Sequence, residues 1–336
     1  MRHLVIVWLL GCGRTGLDLE PGDATPADVS QEAGCGAPTR EEAIAHLTSN
    51  AIHLVATSSF VYFKADVIES GPGVAWDVRR VGKCGGGVET LVRASGSGLR
   101  DAWPERAAGI VGSHEYFGAT TGVVRRPLAG GASERFTDLS QQFLLAGDAV
   151  FVTPMGGGVF ALPVAGGINA LDPDGRLELV DDAHVFFTRS TNAIWVATLQ
   201  GAGRRELLPA DPAPADHLVS DGVQLYFRRV RFEPPSQRTP TPLMRVRVDG
   251  SAPPVAVTGV PWRWSSIAVR DGFVYGHDDR QVVRVARDGG DVEVVATLGT
   301  ETLQLEDVTF GEDGLYWILD ERRFGGGGSI WRAPTP

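Results

Sequence analysis

Short runs of alternating apolar and polar residues cover most of the chain, and turn residues separate them. In 267–276, alternating apolar residues flank the pair Asp271-Gly272. An Asp-Gly pair in this setting is typical of a β-hairpin, because a type I′ turn needs a positive φ at both central residues. The segments 281–290 and 291–298 continue with a strand, a Gly-rich turn and another strand. The pattern therefore predicts short antiparallel strands joined by tight hairpins.

This four-stranded unit recurs seven times along the chain. Alignment of the units brings one aromatic residue of each second strand to the same position, namely Tyr62, Tyr116, Phe151, Phe186, Tyr226, Tyr275 and Tyr316. The successive spacings are 54, 35, 35, 40, 49 and 41 residues. A period near forty with four strands per unit is typical of a β-propeller.

A propeller also solves a physical problem, because a lone four-stranded sheet cannot bury both of its faces or protect its edges. Radial stacking buries the faces, and the recurring aromatic residues are suited to fill the space between neighbouring sheets. We therefore predict an all-β, seven-bladed β-propeller with four antiparallel strands per blade over residues 40–336. A two-domain β-sandwich would require the period to be accidental.

The seventh unit ends with 329–334 and lacks its outer strand. The segment 40–47 has the right length to supply it, so we expect the N-terminal and C-terminal segments to pair and close the ring. Closure would protect an edge that an open ring exposes. The alternative is that 40–47 forms one helical turn.

The chain begins with Arg2 and His3, followed by seven apolar residues. This run is far shorter than the roughly 20 residues of a membrane-spanning helix, so residues 1–11 are typical of a signal peptide. Residues 12–39 are rich in Gly, Pro, Asp, Ala and Thr and show no apolar periodicity, which predicts a flexible stalk.

The run Leu9-Leu10-Gly11-Cys12 resembles the lipobox of bacterial lipoproteins, in which a peptidase cuts before a lipid-modified cysteine. The resemblance implies that Cys12 carries the lipid. Gly13 stands where the inner-membrane retention signal would have Asp, which implies an outer-membrane lipoprotein facing the periplasm or the cell surface. The alternative is an ordinary signal peptide with an incidental cysteine.

Lipidation of Cys12 would leave two of the three cysteines, Cys35 and Cys84. In an exported protein such a pair is a candidate disulfide, which would fasten the ring closure. Two free thiols are the alternative. The chain has no Cys-x-x-Cys and no His/Cys cluster with zinc spacing, so we expect no structural metal of that kind.

The predicted loops differ between the two faces of the ring. The turns between first and second strands and between third and fourth strands lie on one face, which we call the turn face, and all of them are tight. The loops between second and third strands lie on the other, the loop face, and three are long: 65–76, 229–243 and 318–328. Long loops on a rigid scaffold are a common place for binding sites, although simple drift in surface loops is the alternative.

Charged and polar residues follow the recurring aromatic on the loop face. The candidate binding residues are Lys64, Asp66, Arg189, Arg228, His277, Asp278, Asp320 and Arg322. Their mixed signs argue against a site for anions alone or cations alone, and we expect most of them to be solvated.

Several motifs of catalysis or metal binding can be set aside. His114-Glu115 lacks the second histidine of a zinc protease, and Asp172-Pro173-Asp174-Gly175 lacks the later ligands of a calcium loop. The acidic residues that recur at turn positions are turn formers. The sequence thus predicts no catalytic set, no metal site and no cofactor.

The unit Asp313-Gly314-Leu315-Tyr316-Trp317 resembles the repeats of YWTD-type and TolB-like propellers. Together with the leader, it resembles exported bacterial propeller lipoproteins. Ile318-Leu319 replaces the Thr-Asp that completes the YWTD motif, so the resemblance implies the fold and no binding residues.

The net charge of −10 disfavours binding to nucleic acid or to an anionic membrane surface. We expect a monomer that touches the membrane through its lipid only and binds a protein or glycan partner on the loop face. The alternative is a propeller enzyme, a lyase, lactonase or glycan-active hydrolase, with a site at the channel mouth. His277, Asp278 and Asp320 would then be the first candidates.

Overall fold

The computed structural model describes 37–49, 51–67, 75–94, 108–119, 122–138, 142–154, 156–189, 191–233, 237–262, 264–300, 303–320 and 327–334. All regular elements within these ranges are β-strands, and they form seven antiparallel sheets. No helix in the described part of the chain is long and apolar enough to cross a membrane.

The strands follow the chain blade by blade, apart from one at the N-terminus. Strand β1 is Glu42–His46. Blade 1 contains β2 (Ala51–Ala56), β3 (Phe60–Val67), β4 (Ala75–Gly82) and β5 (Glu89–Ala94). Blade 2 contains β6 (Ala108–Val111), β7 (His114–Ala119), β8 (Gly122–Pro127) and β9 (Glu134–Thr137). Blade 3 contains β10 (Gln142–Ala146), β11 (Ala149–Thr153), β12 (Val159–Pro163) and β13 (Asn169–Asp172).

The remaining blades repeat this order. Blade 4 contains β14 (Arg176–Val180), β15 (His184–Thr188), β16 (Ile194–Thr198) and β17 (Arg205–Leu208). Blade 5 contains β18 (Ala215–Ser220), β19 (Gln224–Glu233), β20 (Gln237–Pro240), β21 (Pro242–Arg247) and β22 (Val255–Pro261). Blade 6 contains β23 (Ser265–Arg270), β24 (Phe273–His277), β25 (Gln281–Ala286) and β26 (Glu293–Thr297). Blade 7 contains β27 (Gln304–Phe310), β28 (Leu315–Asp320) and β29 (Gly328–Ala333).

The ring closes as the sequence predicts, because β1 is the fourth strand of blade 7. It pairs antiparallel with β29, and Glu42 lies opposite Arg332. The guanidinium Nε of Arg332 also donates a 2.6 Å hydrogen bond to the Glu42 carboxylate. The helical turn that was the alternative for this segment is wrong, and the seven-bladed propeller is confirmed.

The first strands of the blades form the inner wall of the ring, and each contacts a strand of a neighbouring blade. The seven recurring aromatic residues are all buried. Each lies in an apolar cluster that joins its own blade to the next one; Tyr316 of blade 7, for example, packs with Val61 and Phe63 of blade 1. The core of the protein is therefore a set of seven joints between blades.

One hairpin of the turn face has the predicted type I′ geometry. Asp271 and Gly272 have φ values of 50° and 83°, both in the left-handed region that this turn requires. At Asp221-Gly222 only the glycine has a positive φ, so the other Asp-Gly turns do not repeat this geometry.

Candidate functional site

The loop face of blade 5 carries an additional hairpin. Strand β19 is ten residues long, and its last part pairs with β20 beyond the point where its pairing with β18 ends. The pairs run from Val230–Pro240 to Glu233–Gln237. Four residues of strand extend about 13 Å, so the hairpin lengthens the sheet of blade 5 by about that distance beyond the pairing of β19 with β18. The sequence predicts a long loop here, and the structure shows that much of it is paired strand.

The base of this hairpin is held by side chains. The Thr241 hydroxyl accepts a hydrogen bond from the Arg229 amide at 2.9 Å and donates one to the Arg229 carbonyl at 2.8 Å. The Arg229 guanidinium donates to the Ala213 carbonyl at 2.8 Å, and its burial lowers its pKa although Asp211 opposes this effect. The arginine therefore serves as a fixed support for the hairpin.

Arg228, one of the candidate binding residues, also has a structural role. Its Nε donates to Asp216 at 2.7 Å, and Nη1 donates to the Trp262 carbonyl at 3.1 Å. Only 11% of its side chain is exposed. It fastens the hairpin to the inner strand of blade 5 and to the connection into blade 6.

Arg189 lies between blades 3 and 4. It donates to the buried carboxylate of Asp172, and this hydrogen bond raises the pKa of Arg189. Its guanidinium carbon lies 4.1 Å from the centre of the Trp195 ring, which is a cation–π contact. Arg204 donates to the same carboxylate at 3.0 Å. Asp172 thus forms ion pairs that connect blade 3 to blade 4.

Lys64 and Asp320 are two exceptions to the expectation that most of the candidate residues are solvated. Each side chain is only 1% exposed. The reason is strand length: Lys64 lies within β3, opposite Val78, and Asp320 is the last residue of β28, opposite Gly328. Both residues have an interaction partner.

His277 and Asp278 lie at the loop-face end of β24. Asp278 Oδ1 accepts hydrogen bonds from the amides of Arg280 and Gln281 at 2.9 and 2.8 Å, so it caps the turn into β25. A ring nitrogen of His277 lies 3.2 Å from the Asp278 carbonyl oxygen. The side chain of Asp66 and the whole of Arg322 lie outside the described residues.

One acidic residue that the sequence analysis did not select lies on the inner strand of blade 7. Asp307 accepts a hydrogen bond from the Leu54 amide at 2.6 Å and another from the Val308 amide at 2.8 Å. Burial raises the pKa of Asp307, although these amides and the charge of His277 oppose the rise. Because both carboxylate oxygens accept from backbone, Asp307 connects blades 7 and 1.

The inner wall also borders a cavity of about 190 Å³. Its lining comes from the first strands of blades 1, 2 and 3 and is apolar, with Val55, Ile110 and Leu145 among the lining residues. None of the candidate binding residues whose side chains the structure describes lines it. In the described part of the chain, no group of three or more His, Cys, Asp or Glu residues is placed to hold a metal ion.

A buried ionic cluster between blades 1 and 2 was missed by the sequence analysis, which treated Glu115 as a turn residue. The Glu115 side chain is fully buried and accepts hydrogen bonds from Tyr62 at 2.8 Å, Arg80 at 2.8 Å and Arg126 at 2.6 Å. Arg80 and Arg126 also donate to Glu89, at 2.7 and 2.9 Å. The two arginines and the two glutamates balance each other's charge, and together they connect blades 1 and 2.

The predicted cysteine pair is only partly within the described residues. Cys84 lies in the turn between β4 and β5, is exposed and is disulfide-bonded. Cys35 and Cys12 lie outside the described ranges, so the pairing of Cys84 with Cys35 stays a prediction. The neighbouring Gly85 lies beside the Ile44 carbonyl of β1, which places this turn next to the closing strand.

No family model and no curated protein matches the sequence. Solved structures do match. The oligogalacturonate lyase of Vibrio parahaemolyticus is 10% identical, with a TM-score of 0.55 over 88% of this chain and 92% of that one. The Pan2 WD40 domain of Neurospora crassa is 10% identical, with a TM-score of 0.57 over 89% and 97%. YCF48, bound to D1 peptide, is 9% identical, with a TM-score of 0.55 over 90% and 100%. Such low identity shows the propeller fold alone.

Proposed function

We propose that the chain is an exported lipoprotein, tethered through Cys12, that binds a protein partner on its loop face without catalysis. The observation that carries this proposal is the β19–β20 hairpin, an additional strand pair on the loop face whose base is held by side-chain hydrogen bonds. A projecting strand pair offers backbone donors and acceptors to a partner, as in other cases of β-strand recognition. A glycan is the alternative ligand.

The position of the N-terminal segment supports this arrangement. Pro38 lies against the Gly314 turn of blade 7, which is on the turn face. Residues 37–41 therefore enter the ring on the face opposite the hairpin. A tether that ends there leaves the loop face free to meet a partner.

The enzyme hypothesis gains no support from the described residues. Asp278 caps a turn, Asp320 is buried at the end of its strand, and both oxygens of Asp307 accept backbone hydrogen bonds. His277 lies close enough to Asp307 for its charge to act on the pKa of that carboxyl. Among the similar structures, YCF48 binds a peptide, which shows that a propeller of this size is compatible with peptide binding.

The hairpin can be tested by affinity capture from an outer-membrane extract. The bait is the Cys12→Ser chain, and in the test variant Asn-Gly replaces residues 230–240. In the matched control, Asn-Gly replaces the turn-face residues 287–292. We expect the bait and the control to recover the same partner and the hairpin variant to lose it. Equal recovery by all three would exclude the hairpin as the binding surface.

The tether can be tested by metabolic labelling with a radioactive fatty acid. We expect the wild-type chain to carry the label and to float with membranes, and the Cys12→Ser chain to lose both properties. Label retained by Cys12→Ser would refute lipidation at this position.

A further inference from the structure

The turn face carries exposed apolar residues. In the described part of the chain, the exposed large hydrophobic residues are Val88, Leu128, Ile168, Val223, Val255 and Val294. All six lie in turns of the turn face or within two residues of them.

The turn face is itself divided in two. In blades 1 to 3 its turns are 57–59, 83–88, 112–113, 128–133, 147–148 and 164–168. They consist almost entirely of Gly, Ala, Ser and larger apolar residues. The two ionisable residues are Lys83, which is buried and paired with Asp313, and Asp148. We call this half the uncharged patch.

The other half of the turn face is rich in charge. The turns of blades 4 to 7 carry Asp181, Asp182, Arg204, Asp221, Asp249, Asp271, Arg287, Asp288, Asp291, Glu312 and Asp313. In a chain with a net charge of −10, a half-face whose turns expose one charged residue, Asp148, is therefore a distinct local surface. The strand ends beside it carry Arg125 and Glu134, which pair with each other at 2.6 Å.

The uncharged patch is also ordered. Its three outer turns repeat one hydrogen bond, in which the amides of Gly85, Gly130 and Gly166 donate to the carbonyls of Gly82, Pro127 and Pro163 at 2.9 to 3.0 Å. Each outer turn is bonded to the inner turn of its blade as well; the Leu128 amide, for example, donates to the Ser113 carbonyl at 2.9 Å. Val88, Leu128 and Ile168, which are 36%, 39% and 59% exposed, thus project from a fixed platform.

The chain outside the described residues indicates what covers this platform. The N-terminal segment enters the ring at Pro38, beside the turn of blade 7 that precedes the patch in the ring, and within the patch the disulfide-bonded Cys84 lies four residues before Val88. There are 24 residues between Cys12 and Ala37. A flexible chain of that length spans about 27 Å. A lipid on Cys12 would therefore hold this face close to the bilayer.

We propose that the uncharged patch rests on the lipid bilayer in which the Cys12 lipid is inserted. This inference depends on the proposed lipid tether, and it replaces the expectation that the chain touches the membrane through its lipid only. The tether makes contact with the membrane intramolecular, so a few apolar side chains suffice to orient the protein. The charged half of the turn face would remain in water, and the loop face with its hairpin would point away from the membrane.

The test uses the full lipidated chain in vesicles of phosphatidylethanolamine and phosphatidylglycerol that contain a lipid-linked nitroxide quencher. An environment-sensitive fluorophore is placed on Ile168→Cys in the patch, or on Asp279→Cys on the loop face. We expect quenching at least about twofold stronger at position 168, because only the patch reaches the interface. Equal quenching at both positions, or stronger quenching at 279, would overturn the inference.

A second comparison tests the apolar residues themselves. Val88→Glu with Leu128→Glu should reduce the quenching at position 168 to the level seen at 279. The matched control, Val223→Glu with Val294→Glu, changes two residues of the charged half and should leave the quenching unchanged. An effect of the control equal to that of the test pair would contradict the role of the patch.

Vesicle flotation separates the two ways in which the test can fail. A chain that does not float lacks the tether, and then the proposed function and this inference both fall. A chain that floats but shows equal quenching at both positions keeps its tether and loses only the proposed orientation.

Discussion

Glu115 shows how a single residue can join two blades. Its carboxylate is fully buried, and two guanidiniums and one phenol hydroxyl share its two oxygens. Removing one partner of a buried ion pair is costly because the remaining charges stay buried without compensation. Here the remaining charges would be Arg80 and Arg126.

We therefore expect Glu115→Gln to lower the free energy of unfolding by about 3–5 kcal/mol, measured by urea denaturation. The control is Glu134→Gln, which removes a more exposed partner of Arg125 and should cost about 0–1 kcal/mol. Equal losses in the two variants would mean that the buried cluster does not stabilise the joint between blades.

The same cluster predicts a dependence on pH. Burial alone would raise the pKa of Glu89, but its hydrogen bonds and charge interactions with Arg126 and Arg80 outweigh burial and lower it from 4.5. A lowered pKa contributes stability that is present above pH 4.5 and is lost as the pH falls through the folded-state value. Glu89→Gln should therefore weaken the decline in melting temperature of the wild-type protein below pH 4.5. Parallel declines in both proteins would refute the contribution of Glu89.

Glu115 could have been recognised from the sequence. It precedes the recurring aromatic of its blade, and the other six blades have Val or Leu there. A charged residue at such a position needs buried partners. Those partners could not be identified from the sequence, because the strand register decides whether the side chains of Arg80 and Arg126 reach Glu115. The burial of Lys64 and Asp320 was not predicted for a similar reason, because the sequence does not show where β3 and β28 end.

Among the elements, β1 has the clearest role. It completes blade 7, and Ile44 and Ala45 pack in the same apolar cluster as Tyr316 and Ile330. Without it, the backbone of β29 would present an open edge, and open edges promote association between molecules.

We expect a chain that begins at residue 48 to associate, whereas a chain that begins at residue 37 should remain monomeric. Size-exclusion chromatography with light scattering distinguishes the two outcomes. A monomeric chain from residue 48 with an unchanged melting temperature would show that β1 is dispensable.

The element that the sequence predicted least well is the β19–β20 hairpin. Prolines at positions 234, 235 and 240 favour a loop in this segment. Pro240 is nevertheless paired with Val230, at the edge of the sheet, where a missing amide hydrogen is tolerated. The long-loop position was therefore predictable, but its strand pairing was not.

For the whole molecule, the predicted disulfide between Cys35 and Cys84 would fasten the closing segment to blade 1. A cross-link over a loop of this length contributes about 2–4 kcal/mol by restricting the unfolded chain. We expect reduction to lower the melting temperature of the wild-type protein and to leave that of Cys35→Ser unchanged. An equal effect of reduction on both would exclude this pairing.

The number of blades and the ring closure were predictable because each depends on a repeated local pattern. The position of the proposed binding surface followed from loop length. The chemistry of that surface did not, since Arg189, Arg228 and Asp278 all serve the scaffold once the blades are assembled.

The pairing of β1 with β29 also has a consequence for how the molecule is made. Glu42 and Arg332 are 290 positions apart, so β1 is synthesised long before β29, the strand with which it pairs. Contacts between such distant segments slow folding, since the intervening chain must be brought together first. Strand β1 therefore stays unpaired until β29 has been synthesised. A chaperone that binds incompletely folded chains would help most during that time.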